Sequence, residues 1–352
     1  MPHFRYITSR ISRLIVAISV AASAGGCVVE WEEMGELALA GGCGTVNCTG
    51  SNAAFLDDVV ASPLSESTAP MDEQPNEFGA DYLGFQSRDG VPHELEVVNG
   101  EFVATDSNGQ TLTGPELIDF KLLVYSGGRT YPVYITSYQQ AATWTNDPQP
   151  ISLYGLAYPA NIATFGSFNG TPDPATLFHL CADQSDPTSA SVALIADETY
   201  DEDAKKVIAG MPQWFNMACE GYGLYKMALL NYGPDRDWNN TGSAASLSQR
   251  QATIKMIPAD YCGKGESFTE TGTPLIWMDR EDTVYYDSNN VGALEALWDE
   301  NGAICLDVPR NHNYTYNDIA STCFNEYSHS LPHCTPAHLS GPWVWKTHLP
   351  LQ

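Results

Sequence analysis

The chain has 352 residues, of which 43% are hydrophobic and 11% aromatic, so it is long enough to bury a core in one large domain or two modest ones. Its 43 acidic residues outnumber its 16 basic residues, and the formal net charge is −27. This imbalance argues against nucleic-acid binding, which needs a basic face to neutralise phosphates. It argues equally against a polybasic attachment to anionic lipid.

Residues 1–26 predict a secretory signal peptide. They contain no acidic residue, and three arginines precede an apolar stretch over 14–24 that is too short to span a bilayer as a permanent helix. The small residues before Cys27 are typical of a bacterial lipobox, in which the cysteine is lipidated and becomes the mature N-terminus. An ordinary cleaved signal with an incidental cysteine is the alternative. Val28 is not an aspartate, which favours the outer membrane if familiar enterobacterial sorting applies.

The segment 27–79 is predicted to be an acidic, flexible tether. It is rich in Ser, Pro, Gly and Glu and lacks sustained hydrophobic periodicity. We therefore expect a folded region over 80–350, standing off a membrane on this linker.

The first part of the folded region predicts short strands separated by turns. Strands are expected at 94–98 and 101–105 around Asn99-Gly100, at 117–125, and at 131–138 after a turn at 126–129. This alternation is typical of a strand-rich N-terminal half.

Helices are predicted in the middle of the chain and again near residue 293. The candidates are 204–210, 213–230, a helix opened by a capping box at Ser246 and Gln249 and ending near Ile257, and 293–298. Strands are predicted at 275–278, 283–286 and 303–308. The expected class is α+β, with a disulfide-braced C-terminal half.

Nine cysteines leave eight for disulfides if Cys27 is lipidated. The eight candidates are Cys43, Cys48, Cys181, Cys219, Cys262, Cys305, Cys323 and Cys334. An even number in an exported chain predicts bridges, although eight cysteines allow about 105 pairings and spacing cannot decide among them. Short loops suggest Cys43–Cys48 and Cys323–Cys334, and the middle four would then pair as Cys181–Cys219 and Cys262–Cys305.

The segment 257–269, with Ala259, Asp260, Tyr261 and Cys262 at its centre, resembles the signature of the ADYC-domain family. Tracts at 215–219 and 297–305 and the closing cysteines also resemble this family of exported bacterial proteins, and the resemblance covers about 170–340. The family has no established activity, so the resemblance implies export and a disulfide-braced domain but no reaction.

Two residues depart from the family pattern. Met227 and Thr253 stand where the family has cysteines. Losing both together fits a family disulfide that is dropped as a pair.

The Ala259–Cys262 tract allows a catalytic and a structural interpretation. In the first, Asp260 is a base and Cys262 a nucleophile, which requires a nearby histidine and a lowered thiol pKa. In the second, Asp260 accepts backbone hydrogen bonds at the turn after Pro258, Tyr261 packs in the core and Cys262 is bridged. We favour the structural interpretation and assign no catalytic residue.

The C-terminal region is the best metal candidate in the sequence. Its potential ligands are Cys323, Glu326, His329, His333, Cys334 and His338. His329 and His333 are spaced to share a zinc on one helix face, but Pro332 between them disfavours that helix. We favour a bridged surface loop with solvated histidines and assign no metal ligand. The sequence also carries no nucleotide or other cofactor motif.

These patterns favour a lipid-anchored envelope or surface protein with a binding or structural domain. Its expected partners are the membrane, through the lipid anchor, and an envelope or extracellular ligand that the sequence does not identify. The alternative is an exported hydrolase assisted by a metal at the C-terminal histidines. A calcium-dependent adhesion module is a third, weaker option that rests on the net charge alone.

Overall fold

The computed structural model describes residues 50–51, 53–57, 62–66, 75–159, 177–181, 191–237 and 243–351. The predicted signal peptide, Cys27, Cys43 and Cys48 lie outside the described residues. No helix in the described ranges is long and apolar enough to cross a membrane.

Strands dominate the described part of the chain. They are β1 (Gly50–Ser51), β2 (Leu64–Ser65), β3 (Asp81–Gln86), β4 (Pro92–Val98), β5 (Glu101–Thr105), β6 (Thr111–Thr113), β7 (Lys121–Ser126), β8 (Arg129–Ala142), β9 (Pro150–Pro159), β10 (Leu177–His179), β11 (Ser191–Ala196), β12 (Glu198–Asp201), β13 (Lys206–Ala209), β14 (Trp214–Cys219), β15 (Pro274–Asp279), β16 (Val291–Asp299), β17 (Gly302–Leu306) and β18 (Trp345–Pro350). The helices are α1 (Gly223–Leu229), α2 (Leu247–Met256), α3 (Tyr316–Tyr327) and α4 (Pro336–Ser340), and short 3₁₀ helices cover Gly114–Leu117 and Ser288–Asn290.

The described strands form two large antiparallel sheets and one small hairpin. Eleven strands pair in the order β2-β14-β11-β9-β8-β7-β3-β4-β5-β6, with β10 attached to β9. Five pair in the order β1-β15-β18-β16-β17, and β12 pairs with β13 alone. The strand-rich N-terminal half and the helices that follow it confirm the α+β class.

The eleven-stranded sheet has a hydrophobic core on each face. Along β9, Ile151 and Leu153 belong to the first core, which also holds α1, α2 and one face of the five-stranded sheet. Tyr154 and Leu156 belong to the second core, which the sheet forms with its own strands β3, β4 and β5. Both faces of β9 are therefore buried, which explains its nearly continuous apolar sequence.

Two tight turns set the register of the N-terminal half. Val98 pairs with Glu101 across Asn99 and Gly100, whose φ angles of 52° and 68° are those a two-residue hairpin turn requires. Ser126 pairs with Arg129 in the same way. The strands predicted at 94–98 and 101–105 are thus confirmed, while β7 begins at Lys121 rather than at residue 117.

The helix predicted to begin at the Ser246–Gln249 capping box is confirmed as α2. The Ser246 hydroxyl accepts a hydrogen bond from the Gln249 amide, and the Gln249 side chain accepts one from the Ser246 amide. This reciprocal capping satisfies donors that the first helical turn leaves free. The helix ends at Met256, and Ile257 is its C-cap.

Several helix predictions and one strand prediction were wrong. Residues 293–298 have a good helix-forming composition, but they lie in β16, which pairs with β17 on one side and β18 on the other. Residues 204–210 form a turn and β13, and in 213–230 only Gly223–Leu229 is helical, after β14. The strand predicted at 283–286 is a single bridge between Val284 and Thr145. Tertiary pairing decided each of these cases over local propensity.

Part of the predicted tether belongs to the folded body. Gly50 pairs with Leu275, and Leu64 pairs with Phe215 at the edge of the large sheet. Leu56 and Leu64 are buried, and the Leu56 amide donates to the Glu202 carboxylate at 2.9 Å. The described residues between 50 and 66 therefore belong to the fold, which begins before residue 80.

Candidate functional site

Three disulfide bonds join described cysteines, and they pair by spatial rather than sequence proximity. Cys181–Cys219 is confirmed. The pairings Cys323–Cys334 and Cys262–Cys305 were wrong, because Cys262 bonds Cys323 on α3 and Cys305 on β17 bonds Cys334. The Leu306 amide donates to the Pro332 carbonyl at 3.0 Å, so the loop after α3 lies beside β17 and brings Cys334 to Cys305.

The family motif forms the turn that follows α2. The Asp260 amide donates to the Lys255 carbonyl at 2.9 Å, and Ala259 adopts φ 58°. The buried Asp260 carboxylate accepts hydrogen bonds from the amides of Lys264 (2.9 Å) and Gly265 (2.7 Å) and from Lys255 Nζ (2.7 Å). Asp260 therefore holds the turn together, as the structural interpretation expects.

The Lys255 ammonium has three oxygen partners. Besides Asp260, it donates to the carbonyls of Ala204 at 2.6 Å and Gly263 at 3.1 Å. Burial lowers the pKa of Lys255, and the Asp260 carboxylate opposes this effect. Three acceptors around one ammonium are typical of a satisfied buried ion pair, with no N–H left to bind a ligand.

Tyr261 belongs to a buried network with Glu295 and Arg310. Its hydroxyl donates to Glu295 Oε1 at 2.5 Å, and its ring stacks on Trp298 with centroids 5.1 Å apart. Arg310 donates to both oxygens of Glu295, at 2.5 and 2.9 Å, and to the Ile257 carbonyl at 3.1 Å. Burial, reinforced by the Glu295 charge, raises the pKa of Tyr261 well above its usual value, so this phenol stays protonated.

A second network of the same composition lies at the other end of α2. Arg250 Nε donates to Glu198 at 2.8 Å, Tyr200 donates its hydroxyl proton to the same carboxylate, and Arg250 also bonds the Ala245 carbonyl. One arginine thus binds a carbonyl just before α2 and the other binds the carbonyl at its C-cap. Two Glu–Tyr–Arg triads hold the ends of α2.

Sequence reasoning missed both triads. Their members lie up to 52 residues apart, as Arg250 and Glu198 do, and no local motif connects them. The composition does contain one usable signal. Arginines are scarce in this acidic chain, so each one is a candidate partner for a carboxylate. That signal marks candidates for buried ion pairs but does not identify their partners.

The C-terminal histidines do not converge with the cysteines. Cys323 and Cys334 are each bonded to another cysteine and cannot be metal ligands. The His333 ring stacks on Tyr316 at 3.7 Å, and His338 Nδ1 accepts from the Thr335 amide at the start of its own helix α4. No group of three or more His, Cys, Asp or Glu side chains in the described ranges is arranged to hold a metal ion.

Met227 and Thr253, at the positions of the missing family cysteines, are both fully buried in the packed helices α1 and α2. Thr253 Oγ1 accepts from Trp345 Nε1 at 2.9 Å and donates to the Gln249 carbonyl at 2.8 Å. Both positions are therefore filled by core contacts.

The chemistry that these contacts allow at the motif is structural. Asp260 is committed to two amides and an ammonium, the Tyr261 hydroxyl to Glu295, and the Cys262 sulfur to Cys323. The motif positions α2, α3 and the β16–β17 turn relative to one another.

Of the comparisons with known proteins, the one with protein families found a match. No curated protein and no solved structure matched the chain. The family model of the ADYC domain matches residues 114–312, beginning earlier and ending earlier than the expected 170–340. The matched region contains the motif turn, α2 and both Glu–Tyr–Arg triads, and it spans more than half of the chain. The protein therefore belongs to the ADYC domain family.

Proposed function

We propose that this protein is an exported, lipid-anchored protein of the cell envelope or surface, and that its disulfide-braced domain has a binding or structural role. The proposal rests on the contacts of the motif residues. The Asp260 carboxylate, the Tyr261 hydroxyl and the Cys262 sulfur each have internal partners. A motif committed in this way supports a domain that displays a surface rather than one that reacts at these groups.

Three disulfide bonds support export. Such bonds form and persist in oxidising compartments and are rare in a reducing cytoplasm. The acidic surface is consistent with a protein that must remain soluble and separate from its neighbours outside the cell.

The lipid anchor rests on the sequence around Cys27. If Cys27 carries the lipid, the chain from residue 28 to residue 49 separates the anchor from β1, and its fully extended reach is about 75 Å. This spacer is shorter than the tether predicted over 27–79.

Metabolic labelling tests the anchor. Cells that express the full chain are fed an alkyne fatty acid, and the purified protein is coupled to a fluorophore. We expect label on the wild type and on C43A, which removes a different N-terminal cysteine, and none on C27A. Absence of label from the wild type, or label that persists in C27A, would overturn the anchor.

A substrate panel tests the non-catalytic role. The purified full chain is incubated with ester, glycoside, peptide and phosphoester substrates, with and without a chelator. We expect no turnover above a heat-denatured control. Reproducible turnover that is lost in H333A would instead support the hydrolase alternative.

A further inference from the structure

Surface cations are scarce in the part of the chain that the structure describes. Seven of the basic residues in the described ranges are buried, and four of these form ion pairs: Lys205, Arg250, Lys255 and Arg310. Six remain at the surface of the described part: Arg88, Arg129, Lys206, Lys264, Arg280 and Lys346. Two of these six flank a single side chain, Trp343.

Arg280 and Lys346 both lie close to the indole of Trp343. Arg280 Cζ is 5.6 Å from the ring centroid, and Lys346 Nζ is 5.7 Å from it. Arg280 follows β15 and Lys346 lies in β18, and these strands pair directly, with Met278 opposite Lys346. The two cations are therefore carried by neighbouring strands of one sheet.

Backbone contacts fix the geometry before any ligand arrives. Trp343 Nε1 donates to the Leu339 carbonyl at 3.0 Å, and Arg280 Nη1 donates to the Gly341 carbonyl at 2.8 Å. The Arg280 amide also donates to the Val344 carbonyl at 3.0 Å. A guanidinium and an indole held in this way lose little conformational entropy on binding.

Neither cation forms an ion pair with a carboxylate of the described residues. The ion pairs found there involve other basic side chains. The nearest acid in sequence before Arg280 is Asp279, whose carboxylate accepts from Thr283 at 2.7 Å and from the Tyr232 hydroxyl at 3.2 Å. Glu281 and Asp282 follow Arg280 and add negative charge beside it.

We propose that Arg280, Trp343 and Lys346 form a binding site for a saccharide unit that carries a carboxylate. The guanidinium offers paired donors that match a carboxylate, and the ammonium adds a second charge-assisted bond. Because the Arg280 guanidinium and the Lys346 ammonium lie over the Trp343 ring, the indole positions the two cations. The exposed Leu339 beside it provides apolar surface for the C–H groups of a sugar ring.

The charge of the protein restricts the size of this ligand. A long polyanion would meet the field of a chain with net charge −27 and the adjacent Glu281 and Asp282. A short acidic oligosaccharide places one or two negative charges at the site and avoids most of this repulsion. The proposal assigns a ligand class to the binding role proposed above, but it does not depend on the lipid anchor.

Calorimetry on the purified full chain in a mild nonionic detergent tests the site. The probe is trigalacturonate, compared with neutral galactotriose and with a three-residue glutamate peptide. We expect trigalacturonate alone to bind, and we expect R280Q and K346Q each to weaken it about tenfold, the loss of one charge-assisted hydrogen bond. R129Q and K206Q, which remove surface cations far from Trp343 in sequence, are the matched controls and should bind as the wild type does.

Each other outcome overturns the proposal. No heat of binding at millimolar trigalacturonate would show that the two cations only fasten Trp343 to the sheet. Equal weakening by R129Q would show non-specific attraction, and equal binding of the glutamate peptide would show a site for acidic peptides. Thermal unfolding of R280Q and K346Q verifies that they remain folded, and fatty-acid labelling separates failure of this site from failure of the anchor.

Discussion

Arg310 donates two hydrogen bonds to the carboxylate of Glu295, and both side chains are completely removed from solvent. Removing two ions from water is costly, and a buried pair compensates only when its remaining donors and acceptors are also satisfied. Here Tyr261 fills one further site on Glu295, and the Ile257 carbonyl accepts from the guanidinium. The pair thereby connects the motif turn, α2 and β16.

Breaking this pair should cost far more than breaking a surface pair. We expect R310M to lower the free energy of unfolding by about 3–5 kcal/mol, because it leaves the Glu295 charge buried without its partner. The exposed Arg88–Asp119 pair, at 3.7 Å, provides the control, and R88Q should cost less than about 1 kcal/mol. Urea unfolding measures both changes, and equal effects of the two substitutions would contradict the structural role given to the triad.

The observed cysteine pairing predicts specific cross-linked peptides. Proteolysis without reductant, followed by mass spectrometry, should yield peptides joined through Cys262–Cys323 and through Cys305–Cys334, and none joined through Cys323–Cys334. The bridges close loops of 61 and 29 residues, so their loss should cost about 4.3 and 3.6 kcal/mol in the chain-entropy model. A double serine replacement at 262 and 323 should therefore destabilise slightly more than one at 305 and 334. The opposite order would contradict the entropic account.

Gly263, directly after the motif, should not tolerate alanine. Its φ is 71°, and a Cβ there would lie 1.6 Å from the backbone oxygen of Asn301 in the β16–β17 turn. We expect G263A to lose several kcal/mol of stability or to fail to fold, because no side-chain movement relieves a collision with backbone. Gly272 has φ 89° but open space around the equivalent position, so G272A should cost only about 1–2 kcal/mol of backbone strain. Similar melting temperatures for the two variants would argue against this close packing.

The sequence carried enough information for the local parts of the fold. The Asn99-Gly100 hairpin and the Ser246–Gln249 capping box depend on neighbouring residues, and both form as expected. Residues 293–298 failed because a helix-forming composition was overruled by strand pairing on both sides. Local rules do not include such non-local contacts.

In the candidate site, too, the local contacts could be predicted and the contacts between distant residues could not. The role of Asp260 followed from its place in a turn, whereas its ammonium partner Lys255 was not anticipated. The disulfide partner of Cys262 lies 61 residues away, and short-loop reasoning cannot select it. What remained unpredictable therefore consists of contacts between distant segments.

Glu66 should make the stability of the protein depend on pH near neutrality. Burial, together with the negative charges of Glu96 and Asp197, raises the pKa of Glu66 from 4.5 to about 7, although the Val97 amide donates to its carboxylate at 2.7 Å and opposes the shift. Because the folded state binds this proton more tightly, the stabilisation is complete below about pH 4.5 and is lost as the pH rises through 7.

E66Q keeps an acceptor for the Val97 amide but does not titrate, so we expect it to match the wild type at pH 4.5 and to be more stable at pH 8. Urea unfolding of both proteins at several pH values measures this difference, to which the carboxyl groups that the two proteins share contribute equally. The control is E94Q, at an exposed position of β4, the strand that also carries Val97. A wild-type-to-E66Q difference that stays constant between pH 4.5 and 8 would show that Glu66 does not titrate in this range.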